Sequence, residues 1–221
     1  MNPWAKLGAA RAPEGGELVL YERAGEFSIR VNGHELMSSR AHGSEERLAA
    51  LACAHLREEA RVLIGGLGMG FTLRAALDQL SVRARVVVAE IVPAVVTWNR
   101  GPLAHLAGRP LDDARVEVEV RDVGRVLRET KERWDAILLD VDNGPQALTR
   151  KANHVLYGEQ GVALARQALR RDGVYAVWSA SPDDAFVRRL RKAGFAVETH
   201  EVPARGRAGG PLHTIFLGRS L

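Results

Sequence analysis

Apolar residues follow two regimes along this chain: short unbroken runs rich in Val, Ile and Leu, and stretches where they recur every three or four positions. The runs at 62–64, 85–89, 116–120, 136–139 and 175–178 read as buried strands. Helical spacing predicts helices over 71–80, 92–100, 124–131, 158–170 and 183–193. Residues 196–202 and 213–217 close the chain as consecutive strands across the Gly/Arg/Pro-rich connection 205–211, so one of them is expected to run antiparallel. Seven such strands with intervening helices predict an α/β fold, a mostly parallel sheet covered on both faces.

The first part of the chain has a different rhythm. Leu18 and Leu20, then Phe27, Ile29 and Val31, alternate with polar residues, and Ala24-Gly25 and Asn32-Gly33 mark turns. Two short antiparallel strands and a third piece at 35–37 follow, a small β appendage without its own core. Residues 1–16, with Pro3, Pro13, Gly15 and Gly16, predict a loose lead-in. Ser44 opens a helix, with Ser44-Glu45-Glu46-Arg47 read as a capping box and Leu48, Leu51, Ala52 and His55 at helical spacing. The expected organisation is an appendage over 1–42 and one ligand-binding Rossmann-like domain over 43–221.

Composition narrows the class. With 221 residues, 46% of them hydrophobic, the chain fills one core. Its single cysteine, Cys53, lies in an apolar stretch and predicts a buried thiol in a reducing compartment. No signal-like start and no apolar run near the ~20 residues of a membrane span point to a cytoplasmic protein without a membrane partner. The net charge is +4, and the densest basic cluster (Arg188, Arg189, Arg191, Lys192) lies on a predicted helix without interleaved aromatics. It reads as a solvated face, and no nucleic acid is expected. His105, His154, His200 and His213 lack metal-ligand spacing, so no metal is expected.

The candidate chemistry sits at the carboxyl ends of the strands. The run 62–64 enters Gly65-Gly66-Leu67-Gly68-Met69-Gly70, a turn whose glycines let a ligand approach the backbone beside a helix N-terminus. The next strand ends in Glu90, twenty residues after Gly70, placed to accept ribose hydroxyls, with Ile91 following. The third ends in Arg121-Asp122-Val123, an acid for an exocyclic amine and an apolar neighbour for a ring. The fourth ends in Asp140-Val141-Asp142-Asn143-Gly144-Pro145, carboxylates that are costly beside apolar surface unless they bind something. A nicotinamide dehydrogenase is disfavoured, because Gly70 falls too early for that glycine spacing.

In this order the glycine turn, Glu90, Arg121-Asp122 and Trp134-Asp135-x-Ile137-x-x-Asp140 resemble the class I S-adenosylmethionine-dependent methyltransferase fold. Within it the chain is most similar to the spermidine synthase (polyamine aminopropyltransferase) family, over roughly residues 17–200. The resemblance implies cofactor contacts at Gly66, Gly68, Met69, Gly70, Glu90, Ile91, Asp122, Val123 and Asp140, and a homodimer. Asp140 is the candidate catalytic residue, accepting a proton from the nucleophile or orienting it, with Asp142 or Asn143 assisting, and substrate contacts fall at Ser44, Glu45 and Asn143. His42 and Tyr157 are further candidate contacts with the substrate. The departures lie at the substrate end: Met69 replaces the family's glycine-turn Asp, Asn143 replaces an Asp, and Gly43-Ser44-Glu45 replaces Tyr-His/Gln-Glu. These losses weaken a polycation site. The expected reaction is therefore methyl transfer from S-adenosylmethionine to a small-molecule nucleophile. Aminopropyl transfer from decarboxylated S-adenosylmethionine to an unusual amine is one alternative, and a non-catalytic nucleoside-binding protein is the other.

Overall fold

The computed structural model describes residues 2–12, 15–131, 133–141, 145 and 156–221. The first four strands, β1 (Ala5–Arg11), β2 (Glu17–Arg23), β3 (Glu26–Val31) and β4 (His34–Ser38), form an antiparallel sheet in chain order. The expected loose lead-in is corrected here, because β1 pairs along β2 from Ala5–Glu22 to Arg11–Glu17. Its mostly exposed residues carry no apolar alternation, so backbone pairing alone makes it a strand.

After α1 (Gly43–Cys53) come β5 (Arg61–Gly65), α2 (Phe71–Gln79), β6 (Arg85–Ala89), α3 (Pro93–Arg100), β7 (Val116–Glu119) and α4 (Val123–Glu129). Then follow β8 (Trp134–Leu139), α5 (Glu159–Ala168), β9 (Leu169–Ser179), α6 (Asp184–Lys192), β10 (Phe195–Pro203) and β11 (Leu212–Ser220). They build a seven-stranded sheet of order β10-β11-β9-β8-β5-β6-β7. Strands β9, β8, β5, β6 and β7 pair in parallel, and β11 runs antiparallel to both β9 and β10. Strand β9 starts well before the predicted 175, because its first turn of polar residues (Arg170, Arg171, Asp172) is exposed and hides the apolar signal.

The period-2 alternation of the strands divides the core between the two faces. Val62, Ile64, Val86, Val88, Ala136 and Leu138 pack with α1, α2 and α3. Leu63, Val87, Ile137, Leu139, Tyr175 and Phe216 pack with α4, α5 and α6. The small sheet has no separate core, since Leu18, Leu20, Phe27 and Ile29 belong to the first of these clusters. Cys53 is buried there too, and burial pushes its thiol up to about 12, which keeps it inert. No described helix is long and apolar enough to cross a membrane.

The capping-box expectation at Ser44 is also corrected. His42 is the N-cap of α1 and makes no side-chain cap bond. Gly43 is set against backbone instead: a Cβ there would stand 2.2 Å from the Gly206 nitrogen. Its N–H donates to the Ala204 carbonyl at 2.8 Å, which ties the start of α1 to the β10–β11 connection.

At the amino edge of the sheet one carboxylate joins three segments. Asp135, only 8% exposed, accepts from Arg57 Nε and Nη2 at 2.7 and 3.1 Å and from the Arg61 N–H at 2.8 Å. Arg170 of β9 lies 3.5 Å away. Replacing a buried, bonded acid strands its donors. Asp135→Ala is expected to cost about 2–3 kcal/mol and to lower Tm by roughly 4–12 °C for a domain of this size. Arg57→Ala, which removes a half-exposed partner, is expected to shift it far less; thermal melts followed by circular dichroism check both.

Candidate functional site

The carboxyl ends of β5, β6 and β8 frame a cavity of about 490 Å³, a usual size for a small-ligand site. Gly66, Gly68, Glu90, Ile91, Val123 and Asp140 line it, together with Asp122. The glycine turn is held from three sides. The Gly66 N–H donates to the Ala89 carbonyl at 2.9 Å, and the Gly70 N–H to the Leu67 carbonyl at 2.8 Å. Asn99 Nδ2 of α3 donates to the Gly68 carbonyl at 2.8 Å. Gly66 has φ +90°, and a Cβ there would lie 2.3 Å from the Asp140 carbonyl oxygen, so only glycine lets β5 and β8 turn outward side by side.

Glu90 is buried, with Oε2 accepting the Leu67 N–H at 3.0 Å and Oε1 the Val92 N–H at 2.8 Å. Two backbone donors fix the direction of the carboxylate where it lines the cavity. Asp122 is the N-cap of α4, its Oδ1 accepting the Arg125 N–H at 2.9 Å. Capping fixes its direction at the cavity wall beside buried Val123.

Asp140 stands at the end of β8, with its N–H donating to the Gly65 carbonyl at 2.9 Å. Thr72, buried in the first turn of α2, donates Oγ1 to Asp140 Oδ2 at 2.5 Å. Burial pushes the Asp140 carboxyl up to about 6, against the downward pull of that bond. Glu45 on α1 is pushed up to about 8, by burial first and then by the charge of Asp140. Burial and mutual repulsion thus disfavour a second negative charge in this pair, while the Thr72 hydroxyl favours the ionised form of Asp140.

Behind Glu45 lies a polar cluster. Ser44, fully buried, donates to Glu45 Oε2 at 3.1 Å, accepts Trp178 Nε1–H at 3.0 Å and sits 2.9 Å from His213 Nδ1. With the hydroxyl proton on Glu45, His213 is the donor to Ser44 and every bond is satisfied. Ser44 therefore supports Glu45 and is not itself in the cavity lining.

Several expected contacts stand elsewhere. Met69 is buried in the core cluster beside Leu67 and Leu73 and is not among the lining residues. Gly70, with φ +86°, is the N-cap of α2 and is likewise not a wall residue. His42 stacks on Phe71 with ring centroids 4.2 Å apart, and its Nδ1 lies 2.8 Å from Glu46, on a shallow groove outside the cavity. Tyr157 is buried with its hydroxyl donating to the Val141 carbonyl at 3.2 Å, a support under the site. Asp142 and Asn143 lie outside the described residues. Sequence reasoning overlooked Thr72 and Asn99. Only their places after the glycine turn and on the next helix gave any signal.

The glycine requirement at Gly66 is testable. Gly66→Ala is expected to weaken binding of an adenosine ligand by more than tenfold, because the Asp140 strand end must move away from the turn. Calorimetric titration of a variant first shown to be folded checks it.

Comparison with known proteins agrees with this geometry. Residues 41–185 match the family described as Spermine/spermidine synthase domain. The chain is 33% identical to a Streptomyces coelicolor protein named polyamine aminopropyltransferase 1, over 67% of this chain and 29% of that protein. A Synechococcus polyamine aminopropyltransferase is 30% identical over 69% of this chain and 49% of its own length. The chain thus spans less than half the length of either relative. In fold it superposes on the Thermotoga maritima spermidine synthase with a TM-score of 0.76 at 19% identity, covering 98% of this chain and 73% of that one. With that seven-stranded sheet, and with the matched segment running from α1 past the carboxyl end of β9, this chain belongs to the spermine/spermidine synthase family.

Proposed function

We propose that this protein transfers an aminopropyl group from decarboxylated S-adenosylmethionine to an amine. The observation that carries the reading is the acid pair at the end of β8 and the start of α1. Asp140, ionised and oriented by Thr72, lines the same cavity as Glu90 and Asp122. The names of the curated relatives support the same reaction class, and a spermidine synthase of the same fold is described in complex with the transition-state analogue AdoDATO.

The expectation of methyl transfer rested on Met69 replacing an acid that would hold the donor's ammonium. With Met69 packed into the core, its side chain does not choose between a carboxylate and an ammonium in the cavity. Family membership then favours the aminopropyl alternative over the methyl reading. The chain's residues fit such a donor: the Gly66 cradle is one that a Cβ would fill, and Glu90 is a fixed carboxylate bonded to the same turn.

The bound donor supplies a sulfonium, a good leaving group, so the protein's task is alignment and proton removal. Glu90 and Asp122 orient the nucleoside, and the Gly66–Gly68 backbone bounds it. Asp140 accepts a proton from the acceptor ammonium and frees its lone pair. The nitrogen then forms a bond to the aminopropyl carbon as the carbon–sulfur bond breaks, its electron pair returning to sulfur as a neutral thioether. Glu45 beside it is pushed toward its neutral form by burial and by the Asp140 charge, which disfavours a second negative charge in the pair.

Calorimetric titration with decarboxylated and with ordinary S-adenosylmethionine tests the reading. Tighter binding of the decarboxylated form is expected, and preference for the carboxylated form would return methyl transfer to first place. Asp140→Asn should retain donor binding within a few-fold and lose at least a hundredfold in kcat/KM, the usual size of a general base. The wild-type kcat/KM should rise with pH through about 6, as Asp140 loses its proton. Thr72 holds that value down by bonding the carboxylate, so removing the bond raises it and moves the acid limb to higher pH. Thr72→Val is expected to lower kcat/KM roughly tenfold at pH 6, the size of one hydrogen bond to a charged group, and little at pH 9. Thr72→Ser should restore the wild-type profile.

A further inference from the structure

Glu45 owes its place to the antiparallel end of the sheet, which is remote from it in the chain. Its helix is clamped there by backbone: the Gly43 N–H donates to the Ala204 carbonyl at 2.8 Å, and a Cβ on Gly43 would stand 2.2 Å from the Gly206 nitrogen. Its side chain is held through Ser44 Oγ, which donates to Glu45 Oε2 at 3.1 Å and accepts Trp178 Nε1–H at 3.0 Å. The third partner of that oxygen is His213 Nδ1, 2.9 Å away on β11.

The chemistry of the partners sets the direction of these bonds. An indole N–H only donates, and the single hydroxyl proton of Ser44 points at Glu45. His213 must then give a proton from Nδ1, the tautomer being fixed by the bond it makes. A cationic ring donates from Nδ1 as well, so the bond survives protonation. Two N–H donors on one oxygen polarise its O–H toward the carboxyl. Around His213 stand Ser44 of α1, Trp178 of β9, with ring centroids 4.6 Å apart, and Val202 opposite it on β10. Burial lowers its proton affinity. The charges acting on Glu45 are those of Asp140 and Glu46.

Glu45 and Asp140 lie in each other's field, and an acceptor ammonium beside Asp140 relieves the repulsion between them. The direction in which Glu45 presents its carboxyl then governs how well the amine is held. We propose that His213 is a positioning residue for the acceptor amine: from Nδ1 it fixes Ser44, and through Ser44 it fixes Glu45 beside Asp140. His213 is not among the residues lining the cavity, so it acts only through Glu45. This rests on the aminopropyl-transfer reading and adds to it a residue that does not touch the substrate.

Nitrogen NMR of the isotope-labelled protein reads the tautomer without any turnover. Nδ1 is expected to carry a proton on either side of neutral pH, and a neutral ring protonated only at Nε2 would overturn the proposal. Kinetics with decarboxylated S-adenosylmethionine and 1,4-diaminobutane, following release of the adenosyl thioether, read the consequence. His213→Phe keeps a ring against Trp178 but loses the donor. It is expected to raise the KM of the diamine about tenfold, the size of one hydrogen bond to a charged group, while kcat and the calorimetric Kd of the donor change by less than about threefold. His213→Asn, whose amide N–H takes the place of Nδ1–H, should recover most of the loss. In a Glu45→Gln background the same His213→Phe change should do nothing further, because the two residues act as one unit. An additive loss in that background, or a wild-type KM in folded His213→Phe protein, would sink the proposal and leave aminopropyl transfer standing. A wild-type protein that neither binds the donor nor releases thioether would remove the transfer reading, and this inference with it.

Discussion

The turn at Gly66 and the end of β8 lie so close that no side chain fits between them, and the rest of the site is arranged around that contact. A Cβ on Gly66 would come within 2.3 Å of the Asp140 carbonyl oxygen. The glycine turn and Asp140 are thereby fixed relative to each other by main chain. Glu90 reinforces the arrangement, since the Leu67 N–H it accepts belongs to the same turn. Thr72 does so from the helix that follows, by holding one Asp140 oxygen. Such preorganisation suits a reaction in which alignment supplies most of the acceleration.

The parallel sheet was legible because its strands are buried on both faces and so appear as continuous apolar runs. Strand β6 matches its predicted span of 85–89, and the antiparallel ending shows in the spacing of 196–202 and 213–217. Strand β1 was not legible, because an exposed edge strand needs no alternation of side chains. The lining positions at Gly66, Gly68, Glu90, Asp122 and Asp140 could be read from their places at strand ends. Met69 could not, since position in a turn does not reveal which way a side chain packs. Ser44 was hidden for another reason: His213, its partner, lies 169 residues away in the chain, beyond any local pattern.

The acid pair shows how burial can divide labour between like groups. Glu45 and Asp140 are both carboxyls in the same neighbourhood, yet burial and mutual repulsion raise Glu45 to about 8, while the Thr72 hydroxyl restrains Asp140 to about 6. The Thr72 hydroxyl thus favours the charged form of Asp140 against burial, while Ser44 does the same for Glu45. The Ser44–His213–Trp178 cluster holds Glu45 in place from behind.

Strand β8 carries an acid at each end, and the two acids answer to different demands. Asp135 knits the amino edge through Arg57, Arg61 and Arg170, while Asp140 faces the cavity at the carboxyl edge. The fully buried stretch from Ala136 to Leu139 separates them. Structural cohesion and chemistry are thus insulated from one another along a single strand. A lineage can revise the residues at the cavity edge without dismantling the ion-pair network that holds the other.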